Sequence, residues 1–161
     1  MLSAFTTAHV VISLVGIGSG FVVMYGLLTA KRLEIWTAVF LISTIATSVT
    51  GFLFPFERFL PSHAVGILSL LALSVALFAR YSYRLAGAWR LIYVISAVVG
   101  LYLNVFVLIA QLFQKVPALE AMAPSQSEPP FLLTQLVIMA FFVVFASAAA
   151  IKFRHEPIHA A

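Results

Sequence analysis

One stretch, residues 91–114 (LIYVISAVVGLYLNVFVLIAQLFQ), limits what this chain can fold into more than any other. At 1.5 Å per residue a helix of that length reaches about 30 Å or a little more, the thickness of a hydrocarbon core. Ser96, Gly100 and Asn104 follow at intervals of four and Gln111 comes seven later, so these four share one face of a helix otherwise covered by Val, Leu, Ile and Phe. An unpaired amide in an apolar setting costs about 1–3 kcal/mol, so that face is expected to turn from lipid toward helices that supply partners for Asn104 and Gln111. The other spans should pack around this one.

Composition places the whole chain in the same class. Hydrophobic residues make up 63% and charged residues 9%, with a mean hydropathy of +1.14, against about 25% charged in soluble domains. Residues 1–161 therefore read as a single all-α transmembrane domain with no room for a soluble unit beside it. The chain has no cysteine, which removes disulfides, iron–sulfur clusters, thiolate metal sites and cysteine nucleophiles together. A pI near 9.8 would suit nucleic acid only with a basic patch on a soluble face. Here the basic residues fall at the ends of apolar runs, so the partners implied are the lipid bilayer and other membrane subunits, and nucleic acid is not among them.

Five spans are expected, over residues 5–28, 35–54, 63–79, 91–114 and 131–151. The first is expected to remain as a span and not be cleaved as a signal, because no charge precedes Lys31 and the apolar run is too long. With the N-terminus outside, Lys31, Arg32, Arg80, Arg84, Arg90, Lys152 and Arg154 fall on the cytoplasmic side and only Arg58 and Lys115 on the other. That asymmetry supports five spans and a cytoplasmic C-terminus. Trp36, Trp89, Tyr81, Tyr83 and Tyr93 gather at the same inner ends, as interfacial aromatics do. The third span is the shortest, and the second and third could instead form a helical hairpin around Pro55 and Pro61. The longest connection, residues 115–130, holds Pro117 where a short helix through Ala123 would begin. It reads equally as a cap over the outer end of the bundle and as an ordinary surface loop.

Polar side chains concentrate in the outer half. His9 lies about one turn inside the first span and His63 in the first turn of the third, behind Pro61 and Ser62. Thr47, Ser48, Thr50, Asn104, Gln111, Thr134 and Gln135 fall in the same half, among Phe52, Phe54, Phe56, Phe59, Phe113 and Phe131. An outward-opening pocket lined by His9, His63, Asn104, Gln111 and Gln135 and bordered by phenylalanine is the expectation. The structural alternative is helix pairing, which membrane Ser, Thr, Asn and Gln often perform at about 0.6 kcal/mol per contact. Gly16 and Gly20 read as a close helix crossing, and His155 and His159 as solvated residues of a polar tail.

The runs LYLNVFVLIAQLFQKVPALEAMAPSQSEPPF, TSVTGFLFPF and SHAVGIL, which lie along most of the chain, resemble a widespread uncharacterised family of small polytopic membrane proteins of proteobacteria. SHAVGILSLLALSVALFARYSYRLAGAWR is similar to a second group of polytopic membrane proteins in which a histidine opens a span and a basic loop follows. The resemblance implies a multi-pass bundle of the bacterial inner membrane and carries no activity or site residue with it.

Two functions from different classes remain. One is a non-catalytic accessory or scaffold subunit whose polar stripe pairs helices around an outer-leaflet pocket. The other is a binder of a redox-active ligand, either a quinone hydrogen-bonded by His and amide groups or a haem b ligated by His9 and His63. No metal motif, no serine or aspartate triad and no Asp, Glu, Lys or Arg inside a span is read from the sequence, so hydrolysis and proton-coupled transport lack their usual residues.

Overall fold

The computed structural model describes residues 2–55 and 61–154; Phe56, Phe59, Arg58, His155 and His159, all assigned roles from sequence, lie outside the described residues. The fold is α-helical, with no strand among the described residues. Among the described residues five helical segments are long and apolar enough to cross a membrane: α1 (Leu2–Leu28), α2 (Glu34–Gly51), α3 (Pro61–Leu77) together with the helical turn that continues it to Ser82, α4 (Trp89–Lys115) and α6 (Pro129–Phe153), with a short α5 (Pro117–Met122) between the last two.

The helix boundaries have local causes. Beyond α1 the chain bends at Ala30, whose φ of 53° lets Lys31 N–H reach back to the Gly26 carbonyl at 2.8 Å, a left-handed C-terminal cap. In α2 the helix stops at Gly51, earlier than the expected span, because the N–H groups of Phe52 and Leu53 bond three residues back, to Val49 and Thr50, and Pro55 disfavours helix at Phe54. Proline opens α5 and α6, where its missing N–H costs nothing. The helix over residues 117–122 matches the expected one closely.

α4 is the axis. Its buried side runs from Arg90 and Tyr93 through Ser96, Gly100, Leu101 and Asn104 to Phe113, and α1, α2, α3, α5 and α6 all pack on it. Close approach depends on missing side chains: a Cβ on Gly20 would lie 2.5 Å from Leu101 Cδ1 and 3.0 Å from Phe40, so α1 crosses α2 and α4 at the small-residue step. α6 lies at the periphery, with Leu133, Val137 and Val144 exposed, as a lipid-facing surface would be.

One reading of the charges changes. Arg80 was assigned to a loop, but α3 continues through a π-helical turn, Phe78–Ser82, that carries Arg80 into the bundle, where it is buried. Its guanidinium pairs with Glu34 at 2.7 Å and lies 5.3 Å from the centre of the Tyr93 ring. The extra residue of a π turn is what rotates the arginine inward, and the ion pair with the ring supplies part of the compensation that a buried charge needs, its Nε having no hydrogen-bond partner among the described residues. Arg90 beside it donates to the carbonyls of Leu85 and Arg154 at 3.3 Å each.

The connection after α4 folds back along that helix. Gln126 Nε2 donates to the Ala110 carbonyl at 2.8 Å, Gln114 donates to Gln126 Oε1 at 3.3 Å, and Ala123 is fully buried. The Glu128 carboxylate accepts from the Ser125 hydroxyl at 2.8 Å and from the N–H groups of Ser125 and Ser127. These bonds, the Ser125 hydroxyl first, hold its carboxyl below the usual carboxylate range.

Candidate functional site

The N-terminal halves of α1 and α3 and the C-terminal halves of α2 and α4 surround one cavity of about 610 Å³. That arrangement follows from helices alternating in direction, which brings ends of opposite sense to one level. The volume lies within the range of about 300–1,000 Å³ typical of small-molecule sites. Its walls are largely apolar, with Val10, Leu14, Phe52, Phe54, Val65, Leu103, Val107 and Leu108 among them. Its polar lining comprises Thr6, His9, Ser13, Thr47, Ser48, Ser62, His63, Ser69, Asn104, Gln111 and Lys115. No carboxylate stands among the described lining residues.

His9 is held on two sides. Its Nδ1 lies 2.7 Å from Thr50 Oγ1 on α2, and the Phe54 ring meets its ring edge-on at 5.1 Å. Thr50 donates its own proton to the Ala46 carbonyl at 2.7 Å. His63 is buried in the first turn of α3, with the Phe52 ring 5.6 Å away. Phe52 can reach that position because residue 66 is glycine: a Cβ there would lie 3.0 Å from the ring.

Around the cavity the helices are joined by side-chain bonds, His9 to Thr50, Ser13 to Asn104 at 3.5 Å, and Ser48 to Ser69 at 3.1 Å. Asn104 is buried, yet the Ser13 bond to its Oδ1 is at the limit of hydrogen-bond length. Its Nδ2, Gln111 Oε1 and Thr44 Oγ1 are buried with no hydrogen-bond partner among the described residues. The expectation that neighbouring helices would satisfy both amides is therefore met only in part. Gly16 explains the packing there, since a Cβ on it would lie 2.9 Å from Thr44 Oγ1 and 3.2 Å from both Asn104 Nδ2 and Ser43 Oγ.

Of the five residues expected to line one pocket, His9, His63, Asn104 and Gln111 line this cavity and Gln135 does not. Gln135 is buried where α6 packs on α4, and its Nε2 donates to the Phe106 carbonyl at 3.2 Å. The reason is the position of α6: it docks on the opposite side of α4 from the cavity, so Gln135, bonded at the level of Phe106, lies on the other side of the bundle. Phe113 and Phe131 follow it, meeting each other edge-on at 5.4 Å in the core, and Thr134 bonds back to the Pro130 carbonyl. The segment over residues 117–128 is absent from the lining, so it does not cap this cavity. Ser13 and Ser69 were not among the expected lining; Ser13 lies one helical repeat after His9, a signal that was available in the sequence, whereas Ser69, six residues after His63, falls on a different face of the helix and joins the lining through the packing of α3 on α2.

Chemically the cavity can bind and orient a molecule. It offers imidazole, amide, hydroxyl and ammonium groups over an apolar floor, and the described lining holds no nucleophile paired with a base and orienting acid. Among the described residues no three His, Cys, Asp or Glu side chains come together to hold a metal ion. The chain matches no known protein family, no curated protein and no solved structure.

Proposed function

We propose that this chain is a multi-pass protein of the bacterial inner membrane, non-catalytic in itself, that holds a small amphipathic ligand in the cavity between α1, α2, α3 and α4, open toward the outer leaflet. The observation that carries this reading is the convergence of His9, His63, Asn104 and Gln111 on one apolar-walled space of about 610 Å³. Helix pairing alone does not require convergence. Elsewhere in the bundle, polar side chains such as Ser19, Ser74, Ser96 and Ser147 bond back to their own helices, the ordinary way to satisfy a hydroxyl in a span. Lys115 among the lining residues favours a ligand that carries oxygen acceptors near the rim, with a ring or chain lying between Phe52 and Phe54. A quinone-class molecule has that form.

The protein, purified in mild detergent and extracted with organic solvent, is expected to release such a molecule in near-stoichiometric amount. Leu108→Trp, which fills the cavity, should release none. A haem on His9 would show instead as a Soret band lost in His9→Phe. Colourless protein with an empty extract from the wild type would leave only the scaffold or accessory-subunit role and overturn the ligand reading.

A further inference from the structure

His9 is a donor at one ring nitrogen and an acceptor at the other, and Thr50 decides which. A threonine hydroxyl has one proton. Thr50 Oγ1 lies 2.7 Å from the Ala46 carbonyl oxygen, and two oxygens that close require a proton between them. That proton is therefore spent within α2. Toward His9, 2.7 Å away, Thr50 can only accept, so the hydrogen on this contact belongs to Nδ1. A neutral imidazole with Nδ1 protonated carries a lone pair on Nε2. Nε2 has no hydrogen-bond partner among the described residues and is not among the buried unpaired atoms, and His9 is one of the residues lining the cavity. His9 thus meets the cavity as an acceptor.

We infer that the cavity selects a ligand carrying a hydroxyl donor on an aromatic ring, a phenol or hydroquinone, whose O–H is received by His9 Nε2, with Thr50 as the positioning residue that fixes the tautomer. The inference rests on the ligand reading above and sharpens it: a ligand with carbonyl oxygens alone, such as the oxidised quinone, has nothing to give His9 and would leave its lone pair opposite another. Phe54, edge-on to the imidazole at 5.1 Å, keeps the ring from turning and lies where the aromatic body of such a ligand would pack.

The test uses full-length protein in lipid nanodiscs, kept anaerobic, titrated calorimetrically with a short-alkyl hydroquinone and with the corresponding benzoquinone, molecules of nearly equal shape. The hydroquinone should bind about tenfold more tightly, the scale of one hydrogen bond to a buried acceptor. Thr50→Val should still bind both, with the ratio falling toward one, because the freed imidazole can then change tautomer; His9→Phe should lose the preference altogether. Nitrogen NMR of labelled histidine gives an independent readout: the unprotonated nitrogen of His9 should be Nε2 in the wild type and mixed in Thr50→Val. Equal affinity of the wild type for the two probes, or a proton found on Nε2, would overturn the inference while leaving the ligand reading intact. Failure of both probes to bind would overturn both.

Discussion

Asn104 is the residue whose surroundings separate binding from packing. Its Oδ1 has one long bond to Ser13 and its Nδ2 has no partner among the described residues, although the side chain is buried. A buried donor left unpaired costs about 1–3 kcal/mol. Leucine at this position removes that cost, and Ser13, like other serines of the bundle, can turn its hydroxyl to its own helix. Asn104→Leu should therefore be neutral or stabilising in equilibrium unfolding, by up to about 1–2 kcal/mol, while weakening ligand binding about tenfold or more. Leu103→Ala, an apolar truncation one residue away, should destabilise without that trade. A strongly destabilised Asn104→Leu would mean that the amide is a helix-pairing group after all.

At the scale of the helices, the crossing of α1 with α2 and α4 and the pairing of α2 with α3 can be tested separately. Gly16→Ala drives a methyl to 2.9 Å from Thr44 Oγ1 and should cost about 1–3 kcal/mol as overpacking; Gly18, two residues on, faces open space, so Gly18→Ala should be neutral or slightly stabilising. Equal effects in the two variants, measured by detergent-induced unfolding, would remove the close crossing. Glu34→Ala removes the acceptor from the buried Arg80 guanidinium and should be more harmful than Arg80→Met, which takes the charge out together with its desolvation cost; the reverse order would mean that the ion pair itself stabilises the inner end.

The same elements show what could be read from sequence. Apolar length and period give five helices, the central place of α4 and the Pro117 helix, because these depend on local composition. That His9, His63, Asn104 and Gln111 share one level of the bundle was legible too, since it follows from position along helices of alternating direction. Which side of α4 receives α6 is a matter of tertiary packing, and there Gln135, Phe113 and Phe131 were assigned to the wrong neighbourhood. Arg80 was missed because a π turn leaves no period in the sequence, and the overextension of the second span reflects apolar residues at 52–54 that continue the composition of α2 after its hydrogen bonding has ended.

Lys and Arg cluster at the end of the bundle opposite the cavity, at Lys31, Arg32, Arg84, Lys152 and Arg154, so a reporter fused after Ala161 should report cytoplasm and one inserted near Ser125 the outer side. Reporters placing both on one side would contradict the five crossings. The central claim is that the cavity is a binding site, and site-resolved photolabelling tests it most directly. Protein in nanodiscs is incubated with an alkylphenol bearing a diazirine, irradiated, digested and mapped by mass spectrometry. Adducts are expected on the lining of the cavity, within residues 6–14, 47–55, 62–69 and 103–115, competed away by unlabelled short-alkyl hydroquinone and lost in Leu108→Trp. Labelling spread along the exposed face of α6, indifferent to competitor and unchanged in Leu108→Trp, would contradict it.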